Sequence, residues 1–122
     1  MLEIEKLVFV WNADFSVAGG IRALKEVASG EHSCTLCEIA YHRVTQTSEW
    51  KAYKKSLGIE VREPCRNQLK ADQLAAAGGD FPCVLAHTEA GVHKLLGAKE
   101  IDACEGDFER FRHGLGLALA AL

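Results

Sequence analysis

The sequence predicts a single α/β domain, spanning residues 1–122, on a central mixed sheet of about five strands with helices on both faces. Three observations carry this expectation. Strand-like and helix-like runs alternate along the chain, two of the strands read as apolar throughout, and 122 residues are enough for one core but not two. An apolar fraction of 48% with 25% charged residues is that of an ordinary globular protein rather than a disordered or membrane-embedded one.

The elements follow in order. Lys6 to Trp11 is an apolar, β-branched and aromatic run stopped by Asn12-Ala13-Asp14, which predicts a central strand. From Val17, the residues Ile21, Leu24 and Ala28 recur at helical spacing up to Gly30, giving a first helix over about 17 to 29. Leu36 to Val44 leans to strand through Ile39, Tyr41 and Val44, with a helix as the alternative because of Glu38 and Ala40. Ser48 then caps an amphipathic helix, Glu49 to Leu57. Trp50, Tyr53 and Leu57 form its core side, and Lys51, Lys54 and Lys55 a solvated side. Ile59 to Glu63 alternates apolar with charged before Pro64, as an edge strand does. Asn67 to Ala77 permits a helix, which Gly78-Gly79 break. Cys83 to Ala86 is a second buried strand, joined through the Glu89-Ala90-Gly91 turn to a partner at Val92 to Leu96. A last helix starts at Asp107 with Phe108, Phe111, Leu115 and Leu119 on one side.

Charge and termini exclude some functions. Fourteen Lys and Arg against seventeen Asp and Glu leave a net charge of −3, so a nucleic-acid partner is not expected. Leu7 to Trp11 is too short to span a bilayer and follows Glu3 and Glu5 rather than a basic start. The expectation is therefore a cytoplasmic protein without a signal peptide or membrane association. Five cysteines, an odd number, argue against a secreted disulfide framework and for free, metal-bound or redox-active thiols.

Reactive side chains concentrate in Glu31 to His42, which holds Cys34, Cys37, His32 and His42 within twelve residues. The Cys34-Thr35-Leu36-Cys37 spacing admits three readings. Cys34 could attack and Cys37 resolve in reversible dithiol chemistry with a protein thiol or disulfide partner. Alternatively, two thiolates with His32 or His42 could complete a tetrahedral zinc site or hold Cu(I) in a non-enzymatic metal-binding or interaction module. The third reading is a pair of inert core thiols. His87 and His93 flank the hairpin turn, either as solvated strand ends or facing each other as metal ligands, and His113 falls on an exposed part of the last helix.

The order strand, helix, strand, helix, strand, helix, hairpin, helix resembles the thioredoxin-like fold. Phe81-Pro82-Cys83-Val84-Leu85 resembles the proline and following strand of thioredoxins, and Gly91 with Leu96-Gly97-Ala98 resembles their last hairpin. The resemblance implies that Pro82 is cis. The chain is also similar to a family of small uncharacterised bacterial proteins with Asn-Ala after the first strand and a Cys-x-Leu-Cys motif, matched here by Asn12-Ala13 and Cys34 to Cys37. Some members carry a GTPase label, but this sequence has no G-x-x-x-x-G-K-[ST] loop to cradle phosphates.

The likeness also departs from pattern. Thioredoxins place C-x-x-C after the second strand, which in this reading is His42 to Thr47, where no cysteine stands. Were Leu36 to Val44 that strand, Cys34 and Cys37 would enter it from the end opposite Pro82, at about 3.3 Å per residue, so the three could not share one site. The same topology gathers the carboxyl ends of parallel strands into a second candidate, a carboxyl-edge site of Asn12, Asp14, His42, Cys65, Pro82 and Cys83. There His42 would act as acid or base and Cys65 or Cys83 as thiol. The plainer reading makes Cys83 an apolar strand residue and Asn12 and Asp14 a strand end and helix cap.

Overall fold

The computed structural model describes residues 3–12, 35–42 and 45–122. Strand β1 (Ile4–Val10) begins them, followed by helix α1 (Thr35–Ala40), the short strands β2 (Tyr41–His42) and β3 (Thr45–Gln46), helix α2 (Ser48–Ser56) and strand β4 (Glu60–Arg62). A 3-10 turn at Arg66–Gln68 leads to α3 (Ala71–Ala77), the hairpin β5 (Cys83–Thr88) and β6 (Gly91–Leu96), α4 (Ala98–Asp102) and α5 (Phe108–Ala120). The expected first helix at 17 to 29 lies outside the described residues.

Four strands make one mixed sheet in the order β4-β1-β5-β6. β4 runs parallel to β1, with Leu7 beside Val61, while β5 is antiparallel to β1 and to β6. The central position expected for the first strand follows from its composition: Leu7, Val8, Phe9 and Val10 are fully buried, so both faces must be covered. β4, whose Glu60 and Arg62 are exposed, lies at an edge.

Five strands in the main sheet were expected, and it has four. The difference lies in the expected second strand, Leu36 to Val44, whose described residues up to His42 belong to α1 and then to β2, which pairs with β3 in a separate two-stranded sheet. Leu36, Ile39 and Ala40 are all buried, and their i, i+3, i+4 spacing puts them on one side of a helix. The alternation of Ile39 with Tyr41 resembles strand periodicity only because the helix hands over to β2 between them.

The two faces of the sheet differ. Leu7, Phe9, Trp11, Val84 and Ala86 look towards Trp50 of α2, Leu36 and Ile39 of α1, Ile101 of α4 and Phe111 and Leu115 of α5. At its centre Phe9 meets Trp50 edge-on at 5.0 Å, and Phe111 lies 5.6 Å from Trp50. Such pairs add attraction beyond the area they bury. The opposite face presents Val8, Val10, Cys83 and Leu85 to Ala77 of α3, with Leu69, Ala76, Phe81 and Val92 around them. Helices therefore cover both faces.

Local signals explain most element ends. The cap of α2 is Thr47 rather than Ser48, its hydroxyl accepting from the Trp50 N–H at 3.1 Å. Asp107 caps α5 by accepting from the Arg110 N–H. Gly78, at φ 61°, ends α3 in the left-handed region, and its N–H donates to the Leu74 carbonyl. Asn67 to Ala77, read as one helix, is divided between the 3-10 turn and α3. α4 was not anticipated. It is capped from a distance by Asp80, which accepts from the Ala98 N–H at 3.1 Å and pairs with Lys94 at 3.0 Å. Gly97 leaves room for this cap, since a Cβ there would meet the Asp80 carboxylate and displace it.

Candidate functional site

Because β1 and β4 are parallel, their carboxyl ends lie together, and the antiparallel β5 begins at the same edge, with Cys83 registered against Val10. The chain beyond β1 continues the pairing: the Trp11 N–H donates to the Pro64 carbonyl at 3.0 Å, and Trp11 forms an isolated parallel bridge with Cys65. Arg66 Nη1 donates to Asn12 Oδ1 at 2.9 Å. The Phe81–Pro82 peptide, which heads β5, is cis. The structure thus gathers Asn12, Cys65, Arg66, Pro82 and Cys83 at one sheet edge.

The thiols there differ in character. Cys83 is fully buried, and burial, reinforced by the Asp80 carboxylate, pushes its pKa up to about 12. It is a protonated, apolar strand residue packed with Val8, Val10 and Leu85. Cys65 is half-buried, at the start of the 3-10 turn. Its backbone N–H donates to Gln68 Oε1 at 2.9 Å. Cys104, beyond α4, is buried in the main core, its thiol donating to the Glu100 carbonyl and its pKa raised by burial.

Of the remaining candidates, Asp14, His32 and Cys34 lie outside the described residues. Cys37 is on α1, which rests against α4 and α5, and His42 ends β2. With α1 at Thr35–Ala40 in place of the expected strand, the separation of Cys37 from Pro82 at strand spacing no longer follows. Among the described residues no three His, Cys, Asp or Glu side chains form a metal-binding group. His87 and His93 do not face each other: His93 is registered with Ala86 and His87 with Val92, which sends the two rings to opposite faces. His93 Nε2 lies 3.0 Å from the Thr88 hydroxyl, and His87 Nε2 lies 3.0 Å from Gln73 Nε2.

A polar hub that no sequence motif announces lies beside this edge. Glu63, just past β4, accepts from Trp50 Nε1 at 3.0 Å and from Lys54 Nζ at 2.9 Å on one carboxylate oxygen, and from Gln46 Nε2 at 3.0 Å on the other. Its carbonyl accepts from Trp11 Nε1 at 3.0 Å, and Lys54 also donates to Gln46 Oε1. The network ties β3, α2, β4 and the end of β1 together, bringing β3, with which β2 and His42 pair, to the carboxyl end of β4. Lys54 therefore does not belong to a solvated side. Residues four apart sit only about 40° apart around a helix, so Lys54 shares the side of Trp50, a signal present in the sequence.

An open groove of about 280 Å³ runs between α2 and α5 and is lined by Glu49, Tyr53, Ser56, Phe108 and Arg112. Tyr53 meets Phe108 edge-on at 5.5 Å, and burial raises its phenol pKa against the opposing pull of Arg112. No helix among the described residues is long and apolar enough to cross a membrane.

Comparison of the chain with protein-family models, curated proteins and solved structures gives no match.

Proposed function

We propose that this chain is a thiol-based redox protein of thioredoxin-like fold, acting in a reducing compartment such as the cytoplasm, with Cys34 and Cys37 cycling between dithiol and disulfide. The observation that carries the reading is the sheet itself. The order β4-β1-β5-β6, one parallel pair followed by two antiparallel ones and closed by a C-terminal helix, agrees with the arrangement that the resemblance implies. The cis Pro82 at the head of β5 agrees with it as well.

In the proposed cycle the Cys34 thiolate attacks one sulfur of a partner's disulfide. That S–S bond breaks, and the departing partner thiolate takes up a proton. The Cys37 thiolate then attacks Cys34 Sγ, forming the intramolecular disulfide and releasing the second partner thiol. Two electrons pass to the partner, and the reverse sequence restores the dithiol. Cys83 and Cys104, buried and with raised pKa, stay outside this exchange.

Non-reducing mass spectrometry of the intact protein after mild oxidation tests the reading. The expected result is loss of two hydrogens localised to the peptide holding Cys34 and Cys37, with Cys37→Ser trapping a mixed disulfide on Cys34. A pair that stays reduced while the protein copurifies with stoichiometric zinc or copper would overturn it in favour of the metal-binding module.

A further inference from the structure

Gln73, on α3, is 6% exposed, and both polar atoms of its side chain are committed. Its Oε1 accepts from the backbone N–H of Lys70 at 2.9 Å, and Lys70 is the residue that caps α3. Its Nε2 lies 3.0 Å from His87 Nε2 on β5. These two contacts fix the chemistry. A backbone N–H only donates, so the amide oxygen must face Lys70 and the amide NH₂ must face His87. An NH₂ group also only donates, so His87 Nε2 must accept, which makes the ring neutral with its proton on Nδ1.

We propose that Gln73 and His87 form a proton-operated latch, in which protonation of His87 Nε2 turns the Gln73 amide over, leaves the Lys70 N–H without its acceptor and loosens the first turn of α3 from the sheet. Either amide orientation loses one hydrogen bond once the ring carries both protons. Unturned, two donors oppose each other at His87. Turned, the amide NH₂ opposes the Lys70 N–H. A seven-residue helix has little intrinsic stability with which to absorb that loss.

The surroundings of His87 set the pH at which the latch moves. Its neighbours are Lys6 and Glu5 on β1, Lys70 at the cap of α3 and Asp72 within it, and the uncharged Val92 registered with it on β6. Burial and the two lysines disfavour the imidazolium, Asp72 and Glu5 favour it, and the balance holds the pKa below 6.5. The consequence reaches the second core. Ala77, at the far end of α3, is fully buried in the cluster of Val8, Val10, Cys83 and Leu85, so a loosened α3 weakens the cover on that face.

Nuclear magnetic resonance of the full chain tests the latch. At about pH 8 the ring should be the Nδ1–H tautomer, and on acidification it should titrate below its ordinary midpoint. Across that titration the exchange protection of the Lys70 amide should fall by about tenfold or more, after correction for intrinsic exchange. In Gln73→Glu, a carboxylate can accept from the Lys70 N–H and the imidazolium together. The midpoint should then rise by about one pH unit, a tenfold gain in proton affinity, and Lys70 protection should persist. An Nε2–H tautomer at high pH, or Lys70 protection that ignores the wild-type titration, overturns the proposal even if the variant fails to fold. A folded Gln73→Glu variant with an unmoved midpoint overturns it as well.

Discussion

Single residues at the carboxyl edge do different work although the sequence presents them alike. Cys83 and Cys104 are buried, at 0% and 7% exposed, whereas Cys65 is only half-buried. Timed alkylation of the native protein, read by peptide mass spectrometry, should therefore modify Cys65 about tenfold faster or more than Cys83 or Cys104. Glu63 is the residue with most at stake. Removing its carboxylate in Glu63→Ala leaves the indole N–H of buried Trp50 and the half-buried Lys54 without that acceptor, and should cost about 1–3 kcal/mol in denaturant unfolding. Glu105, by contrast, can be improved. It is the one non-glycine residue among those described with a left-handed backbone, at φ 52°, and its pairing with Arg110 at 3.9 Å is exposed. Glu105→Gly should raise stability by about 1 kcal/mol in the same measurement.

Elements were legible where one periodicity dominated. β1, the β5–β6 hairpin and α5 can be read from Leu7 to Trp11, from Cys83 to Leu96 and from Phe108, Phe111 and Leu115, because burial on one or both faces leaves an unmixed pattern. Residues 36 to 42 carry no single periodicity, because a six-residue helix and a two-residue strand each occupy less than one window of pattern. α4 was hidden for another reason. Its N-terminus is held by Asp80, eighteen residues earlier, a non-local bond that no local signature announces. Gly97→Ala should accordingly displace Asp80 and fray α4, seen as faster amide exchange at Ala98 and Ile101 with the sheet amides unchanged. α5 supplies the opposite case, since Phe111 is buried against both Phe9 and Trp50. Phe111→Ala should cost about 3–5 kcal/mol on unfolding.

For the whole molecule, pH should bracket stability from both sides. His87 has a folded pKa depressed below 6.5, so the unfolded chain binds its proton more readily; its contribution is complete above 6.5 and is lost as pH falls below that value. Cys83 behaves in the reverse sense. Its folded pKa is raised from 9.0 to about 12, so its contribution is complete below 9.0 and is lost as pH rises towards 12. Denaturation midpoints should form a plateau between those limits, and Cys83→Ala should flatten the alkaline descent. Cys65, Pro82 and Cys83 fall at one edge because the parallel β1 and β4 end together and the antiparallel β5 begins where they end. The hub at Glu63 was not foreseeable from strand order, because it joins four separate elements.

The chain has two tryptophans, and both indole N–H groups end on Glu63, one on its carbonyl and one on its carboxylate, with ring centroids 6.4 Å apart. Intrinsic fluorescence of the protein consequently reports on one corner rather than on an average over the fold. Rings this close and tilted by 51° should also couple as an exciton pair in circular dichroism. The two optical signals together give a label-free gauge of whether β4 remains seated on β1 while the remainder of the chain changes.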